Sequence, residues 1–182
     1  MHYHAEVYLK ELGTSIQDQI QEILDPYNED VDEPNPKSFW DWWQVGGRWK
    51  GAHVPDYDAN KDPDHQERCW LCGGTGVRPG GREQFGEEWF KETGGCNGCH
   101  GTGMATKWPT QWTPHDKDVI PVSEVPENLT CYTIVLLGKV LHEEEWNGEK
   151  FVKGKIDGKT IKEVLKENDI TDGYLVTVDY HC

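Results

Sequence analysis

Residues 174–182 read YLVTVDYHC. Val176, Val178 and Tyr180 alternate with Thr177, Asp179 and His181, and a period of two is that of a strand with one face buried. The other end of the chain repeats the pattern. Residues 2–9, HYHAEVYL, set Tyr3, Ala5, Val7 and Leu9 against His2, His4, Glu6 and Tyr8. Such a start has neither the basic opening nor the apolar block of a signal peptide, so the protein is expected to stay in the cytoplasm. No run of apolar residues is long enough for a membrane span.

Between these strands regular patterning comes in two blocks. Thr14 and Gln17 have capping-box spacing, Ile16, Ile20, Ile23 and Leu24 recur at helical spacing, and Pro26 stops the element. Regularity returns at residues 131–141, CYTIVLLGKVL, an apolar run suited to one central strand. After it come a polar HEEEW, an Asn147-Gly148 turn and a short strand within 150–155. Thr160 and Glu163 then form a capping box for a helix carrying Ile161, Val164 and Leu165 on one face. The order strand, helix, strand, strand, helix, strand is that of an α+β fold. It predicts a ferredoxin-like βαββαβ sandwich, with both helices on one face of a four-stranded antiparallel sheet. A generic α+β sandwich is the alternative. Residues 1–27 and 129–182 would form this discontinuous domain, and 28–128 a long insertion after the first helix.

The insertion has its own chemistry. CWLCGGTG at 69–76 and CNGCHGTG at 96–103 both fit C-x-x-C-x-G-x-G. Two cysteines at this spacing place both thiolates on one tetrahedral ion, and two such knuckles make a closed four-sulfur site from Cys69, Cys72, Cys96 and Cys99. Four protein ligands leave no open position, so the metal is expected to be one structural zinc ion. An iron-sulfur cluster and disulfides are the alternatives. Cys131 reads as a small buried hydrophobe and Cys182 as an exposed thiol.

These repeats resemble the cysteine-rich zinc domain of DnaJ-type co-chaperones, in which four such repeats hold two zinc ions and help handle unfolded substrates. Two repeats are present here, over residues 69–103, and no His-Pro-Asp tripeptide of a J-domain occurs in the chain. The resemblance implies the zinc ligands and the knuckle shape.

Residues 38–51, SFWDWWQVGGRWKG, carry Trp40, Trp42, Trp43 and Trp49. Burying these rings is one way to anchor an insertion poor in aliphatic residues. Gly46, Gly47 and Arg48 suggest a second use. Consecutive glycines can aim amides at an anion, Arg48 can pair with phosphate or carboxylate, and Trp43 or Trp49 can stack on a base. If the terminal strands are neighbours, His2, His4, Glu6, Asp179 and His181 share the sheet face turned away from Val7, Val176 and Val178. That face is either a solvated polar surface or a site for acid-base chemistry or a second metal, with His4, Asp179 and His181 as catalytic candidates. The W-D-W-x-x-x-G-G-R-W stretch at Trp40–Trp49 together with the terminal V-T-V-D-x-H strand at Val176–His181 is similar to a group of small bacteriophage and bacterial proteins. That resemblance implies a phage-encoded protein acting inside a host cell and carries no activity with it.

Thirty-three acidic residues against eighteen basic ones give a net charge of −15, which opposes binding to nucleic acid. These features predict a zinc-stabilised binding protein that engages a host protein or a small anionic, nucleotide-type ligand, and that counters a host defence. The alternatives are an enzyme acting on a nucleotide or phosphorylated small molecule at a Trp/Arg/His-lined site, and a chaperone-like zinc module.

Overall fold

A computed structural model describes residues 1–58, 61–106 and 118–182. Strand β1 (His2–Leu9) is the hub of its main sheet. Along its whole length β1 pairs antiparallel with β10 (Tyr174–His181), which sets His2 opposite His181, His4 opposite Asp179 and Glu6 opposite Thr177. On its other side β1 runs parallel to β6 (Thr133–Leu136), which folds back into β7 (Lys139–His142). The far side of β10 carries β2 (Trp42–Val45) and, further along, β5 (Val119–Pro121). The result is a mixed six-stranded sheet.

The fold is therefore α+β, with the expected neighbouring of first and last strands, but its sheet departs from the ferredoxin-like arrangement. The parallel β1–β6 pair breaks the antiparallel order, and the helices lie on opposite faces. Helix α1 (Ile16–Leu24) packs Ile16, Ile20 and Leu24 against Val7, Val176 and Val178. Helix α3 (Ile161–Glu167) packs Ile161, Val164 and Leu165 with Tyr8, Leu175 and Ile134, which alternation places on the other side. One face of β1 and β10 is thus divided, apolar under α3 at Tyr8 and Leu175 and polar from Glu6 to His2.

Local signals explain the remaining differences. Ser15, one residue after the expected Thr14, caps α1 by accepting from the Asp18 amide at 3.2 Å. Trp40 donates its indole N–H to the Leu24 carbonyl at 2.9 Å and so satisfies a group at the helix C-terminus. The Thr160–Glu163 capping box forms as expected. Residues 131–141 make a hairpin instead of one strand, because Leu137 and Gly138 take φ of 50° and 77°, the left-handed pair of a type I′ turn. Asn147 accepts the Glu149 and Lys150 amides and turns β8 (Glu144–Trp146) into β9 (Phe151–Lys153).

The chain divides into two compact units, residues 1–57 with 110–182, and residues 58–109. The Trp-rich segment and β5 belong to the first unit, where they extend the sheet. Positions 59–60 and 107–117 of the expected 28–128 insertion lie outside the described residues. In the second unit, β3 (Gln66–Arg68) pairs with β4 (Met104–Thr106), and the knuckles are joined by α2 (Gly81–Glu92), interrupted at Gly86. None of the described helices is long and apolar enough to cross a membrane.

Candidate functional site

In the second unit the two knuckles are built alike. The Thr75 hydroxyl donates to the Cys72 carbonyl at 2.8 Å, and the Thr102 hydroxyl donates to the Cys99 carbonyl at 2.7 Å. Gly103 directs its amide at the Cys99 sulfur from 3.3 Å. All four cysteines are buried, with Sγ atoms 3.8 Å apart for Cys69 and Cys96 and 3.7 Å for Cys72 and Cys99. The four sulfurs lie within 4.8 Å of one another. Metal–sulfur bonds of about 2.3 Å in a regular tetrahedron require sulfurs about 3.8 Å apart. The separation thus fits a single ion, is far too long for disulfide bonds of about 2.05 Å, and is tighter than a cluster that spreads its sulfurs over several irons. The four residues could hold one metal ion in a closed site.

In the first unit the polar end of the sheet face is organised around Glu6, which is fully buried. Its Oε1 receives His4 Nε2 at 2.8 Å, His53 Nε2 at 2.9 Å and the Thr177 hydroxyl at 2.9 Å. Burial alone would raise the Glu6 pKa, but the neighbouring His53 and the hydrogen bonds from His4 and His53 outweigh it and hold the carboxyl at about 2. The same pair acts on His53: burial pushes its pKa down, and Glu6, with Asp118 further off, brings it above the usual histidine value. Among the described residues, Glu6 Oε2, His53 Nδ1 and Gln44 Nε2 are buried without a hydrogen-bond partner.

The segment that follows β2 folds over this end of the face. Gly46 and Gly47 both take positive φ, 70° and 55°, and a side chain on either would strike an aspartate: a Cβ at Gly46 would sit 2.3 Å from Asp118 Oδ2, and one at Gly47 would sit 2.4 Å from the Asp179 Cβ. The two glycines thus let the backbone lie against Asp118 and Asp179. Asp179 accepts the Arg48 amide at 3.0 Å and His2 Nδ1 at 2.9 Å, while Asp118 accepts the Gly51 amide at 2.9 Å. Trp49, 38% exposed, then lies parallel to the His4 ring with centroids 5.2 Å apart.

Two hollows of about 300 Å³ meet at Trp49. One is lined by His2, Tyr3, His4, Tyr132 and Glu143, with Cys131 among them. The other is lined by Arg48, Lys50, Gly51, Asp56 and Tyr57. Burial, with Glu6 and Glu143 adding to it, pushes the Cys131 thiol well above its usual pKa, so it is a neutral part of the wall.

Of the residues singled out in the sequence, Gly46, Gly47, Arg48, Trp49, His2, His4, Glu6 and Asp179 are brought together here. Trp43 is not: it pairs opposite Tyr180 and packs edge-on to Trp40 at 6.4 Å on the α1 side. The catalytic candidates fall into separate pairs, His4 with Glu6, Asp179 with His2, and His181 with Asp41 at 2.8 Å. His53, Thr177 and Asp118 were missed. Thr177 was legible, since it lies opposite Glu6 once the terminal strands pair; His53 and Asp118 lie in irregular segments where no periodicity marks an inward side chain.

The chain matches no protein-family model, no curated protein and no solved structure. The likeness to the DnaJ-type zinc domain rests on the knuckles alone.

Proposed function

We propose that the protein is a zinc-stabilised binding protein whose first unit takes a small nucleotide-type ligand at Trp49. The zinc belongs to the four-sulfur centre, where Cys69, Cys72, Cys96 and Cys99 would hold it and fix the fold of a segment with little aliphatic core. The observation that carries the ligand reading is the sharing of Trp49 by two hollows of different chemistry. The aromatic one suits a planar base, with the Glu143 carboxylate able to accept its N–H groups. The other is lined by the cations Arg48 and Lys50 together with Asp56, and an anion entering it would engage Arg48. If the protein is phage-encoded, it would act in the host cytoplasm by sequestering such a ligand from a host process. A ligand at a hundred times its Kd adds about 2.7 kcal/mol, which for a chain of this size raises Tm by about 5–11 °C. Thermal melts against a panel of nucleosides and their mono-, di- and triphosphates test this, with Trp49→Ala expected to abolish the shift. If no member of the panel moves Tm, the reading fails.

One observation favours a second reading, an enzyme acting on a nucleotide or phosphorylated small molecule. Two imidazoles share a buried carboxylate whose second oxygen has no partner among the described residues, and perturbed, incompletely paired groups of this kind are typical of acid-base centres. Product formation that disappears in His4→Phe, a variant that keeps the ring on Trp49, would establish it.

A further inference from the structure

At the rim of the first hollow, where His2 forms part of the wall, the same sheet face ends in a cross-strand histidine pair that neither reading uses as a unit. His2 and His181 are directly opposite in the β1–β10 register, with ring centroids 5.3 Å apart. Each is braced through Nδ1 by a carboxylate: His2 by Asp179 at 2.9 Å, and His181 by both oxygens of Asp41 at 2.8 and 2.9 Å. An imidazole that donates its Nδ1 proton to a carboxylate keeps its lone pair on Nε2, and this carboxylate-histidine arrangement is the usual outer support of a metal-ligating histidine. Among the described residues, neither Nε2 makes a hydrogen bond. Both side chains reach solvent, 25% exposed for His2 and 40% for His181.

We infer that His2 and His181 form a second, open metal site for a divalent first-row ion, in which each supplies Nε2 and water fills the remaining positions. The ring spacing allows a shared ion, although His2 makes an edge-on contact of similar spacing, 5.5 Å, with Trp42. With metal–nitrogen bonds of about 2.1 Å and a tetrahedral angle, two imidazoles on one ion have centroids about 5.2 Å apart. Imidazole donors select zinc, nickel or copper over magnesium or calcium. The bracing also sets the two rings in place before an ion arrives. Asp179 is itself held by the Arg48 amide, and Asp41 directs its amide to the His181 carbonyl at 3.0 Å, so the acid bracing His181 is tied to the same residue by its backbone. This site differs in kind from the four-sulfur centre. Two protein ligands leave positions to which a substrate or a partner's side chain can bind.

The test uses the full chain with its four-sulfur centre loaded with zinc, titrated with Ni²⁺ and followed by calorimetry and by NMR of the imidazole resonances. One further ion is expected, with the His2 and His181 resonances moving together and zinc content unchanged. His181→Ala, which alters neither hollow, should weaken Ni²⁺ binding at least tenfold. Asp41→Ala should weaken it 10–100-fold, with Asp41→Asn recovering part of the loss because its amide oxygen still accepts from Nδ1. Zinc content and Tm of the metal-free site should match the parent protein in all three. Unchanged Ni²⁺ affinity in His181→Ala overturns the assignment, as does a titration that finds no ion beyond the zinc. Nucleotide-dependent melting measured on His181→Ala separates this result from the ligand reading, because His181 lines neither hollow.

Discussion

Glu6→Gln is the most informative single substitution in this chain. Glu6 is fully buried, and its Oε1 takes hydrogen bonds from His4, His53 and Thr177, while Oε2 has no partner among the described residues. Glutamine can keep an oxygen at the three donors and place its NH₂ where Oε2 stands, so the change removes charge with little change of shape. Its cost follows from the displacement of the Glu6 pKa from 4.5 to about 2. At about 1.4 kcal/mol per unit this corresponds to about 3 kcal/mol, or about 6–12 °C in Tm for a chain of this length. The sign depends on pH at both ends. Glu6 has a depressed pKa, so its contribution is present above pH 4.5 and is lost as pH falls toward 2. His53 has a raised pKa, so its contribution is present below 6.5 and is lost as pH rises through its folded value. Urea unfolding of wild type and Glu6→Gln across pH 3 to 9 should therefore give a stability difference that peaks between pH 4.5 and 6.5 and shrinks on either side. A difference that stays constant over this range, or that grows toward pH 9, would refute the charge-pair argument.

Three further outcomes follow from the geometry. Gly47→Ala places a Cβ 2.4 Å from Asp179 at a φ of 55°; the left-handed backbone costs about 1–2 kcal/mol and displacing the aspartate adds to it, so chemical denaturation should show a loss of about 3 kcal/mol, and a loss under 1 kcal/mol would mean the loop simply moves aside. Cys96→Ser removes one of the four sulfurs that could hold a metal ion, so mass spectrometry under native conditions should show less bound metal than in wild type, with limited proteolysis opening cuts confined to residues 58–109, the second compact unit. Leu137 is 68% exposed with φ of 50° at the first central position of a type I′ turn, so Leu137→Asn should raise stability by about 0.5–1 kcal/mol, and a lower Tm would show that Leu137 is held by packing.

The terminal strands and the metal knuckles were legible in the sequence because each signal is local and strict. A period of two over eight residues fixes which side chains share a face, and the C-x-x-C spacing fixes two ligands of an ion without reference to the rest of the chain. Helix α3 was legible for the same reason, through Thr160 and Glu163. What misled was adjacency. Residues 131–141 are apolar apart from Thr133, Gly138 and Lys139, and Leu137 at the reversal is itself apolar, so hydropathy masks a turn that depends on backbone angles leucine seldom adopts. The assignment of both helices to one face failed because Tyr8 was grouped with the polar side of its strand, when Tyr8 and Leu175 are the apolar end of a divided face. The Trp-rich segment illustrates a third limit. Trp42 to Val45 is too short and too aromatic to read as a strand, and becomes one only because β10 offers it an unpaired edge.

The buried network raises a question that stability alone does not answer. Removing one partner of a buried charge pair is costly, but replacing the whole group with apolar residues of similar volume is often neutral or stabilising by about 1–4 kcal/mol. Here the network leaves Glu6 Oε2 and His53 Nδ1 without partners among the described residues, each an added cost of about 1–3 kcal/mol. Such an arrangement is poorly suited to be structural glue, particularly when the adjoining part of the same face, around Tyr8, Leu175 and Ile134, is filled with apolar side chains. A fourfold variant, His4→Phe, Glu6→Met, His53→Leu and Thr177→Val, separates the two roles. It removes every hydrogen bond among the four residues at once and keeps an aromatic ring against Trp49. If the network is retained for binding or acid-base chemistry, the fourfold variant should be at least as stable as wild type at pH 6 by urea unfolding, although Glu6→Gln alone is about 3 kcal/mol less stable there, and it should no longer shift in Tm with any nucleotide. A fourfold variant that loses as much stability as Glu6→Gln would place the network among the interactions that hold the sheet to the Gly46–His53 segment, and would remove the main physical reason for treating this face as a site.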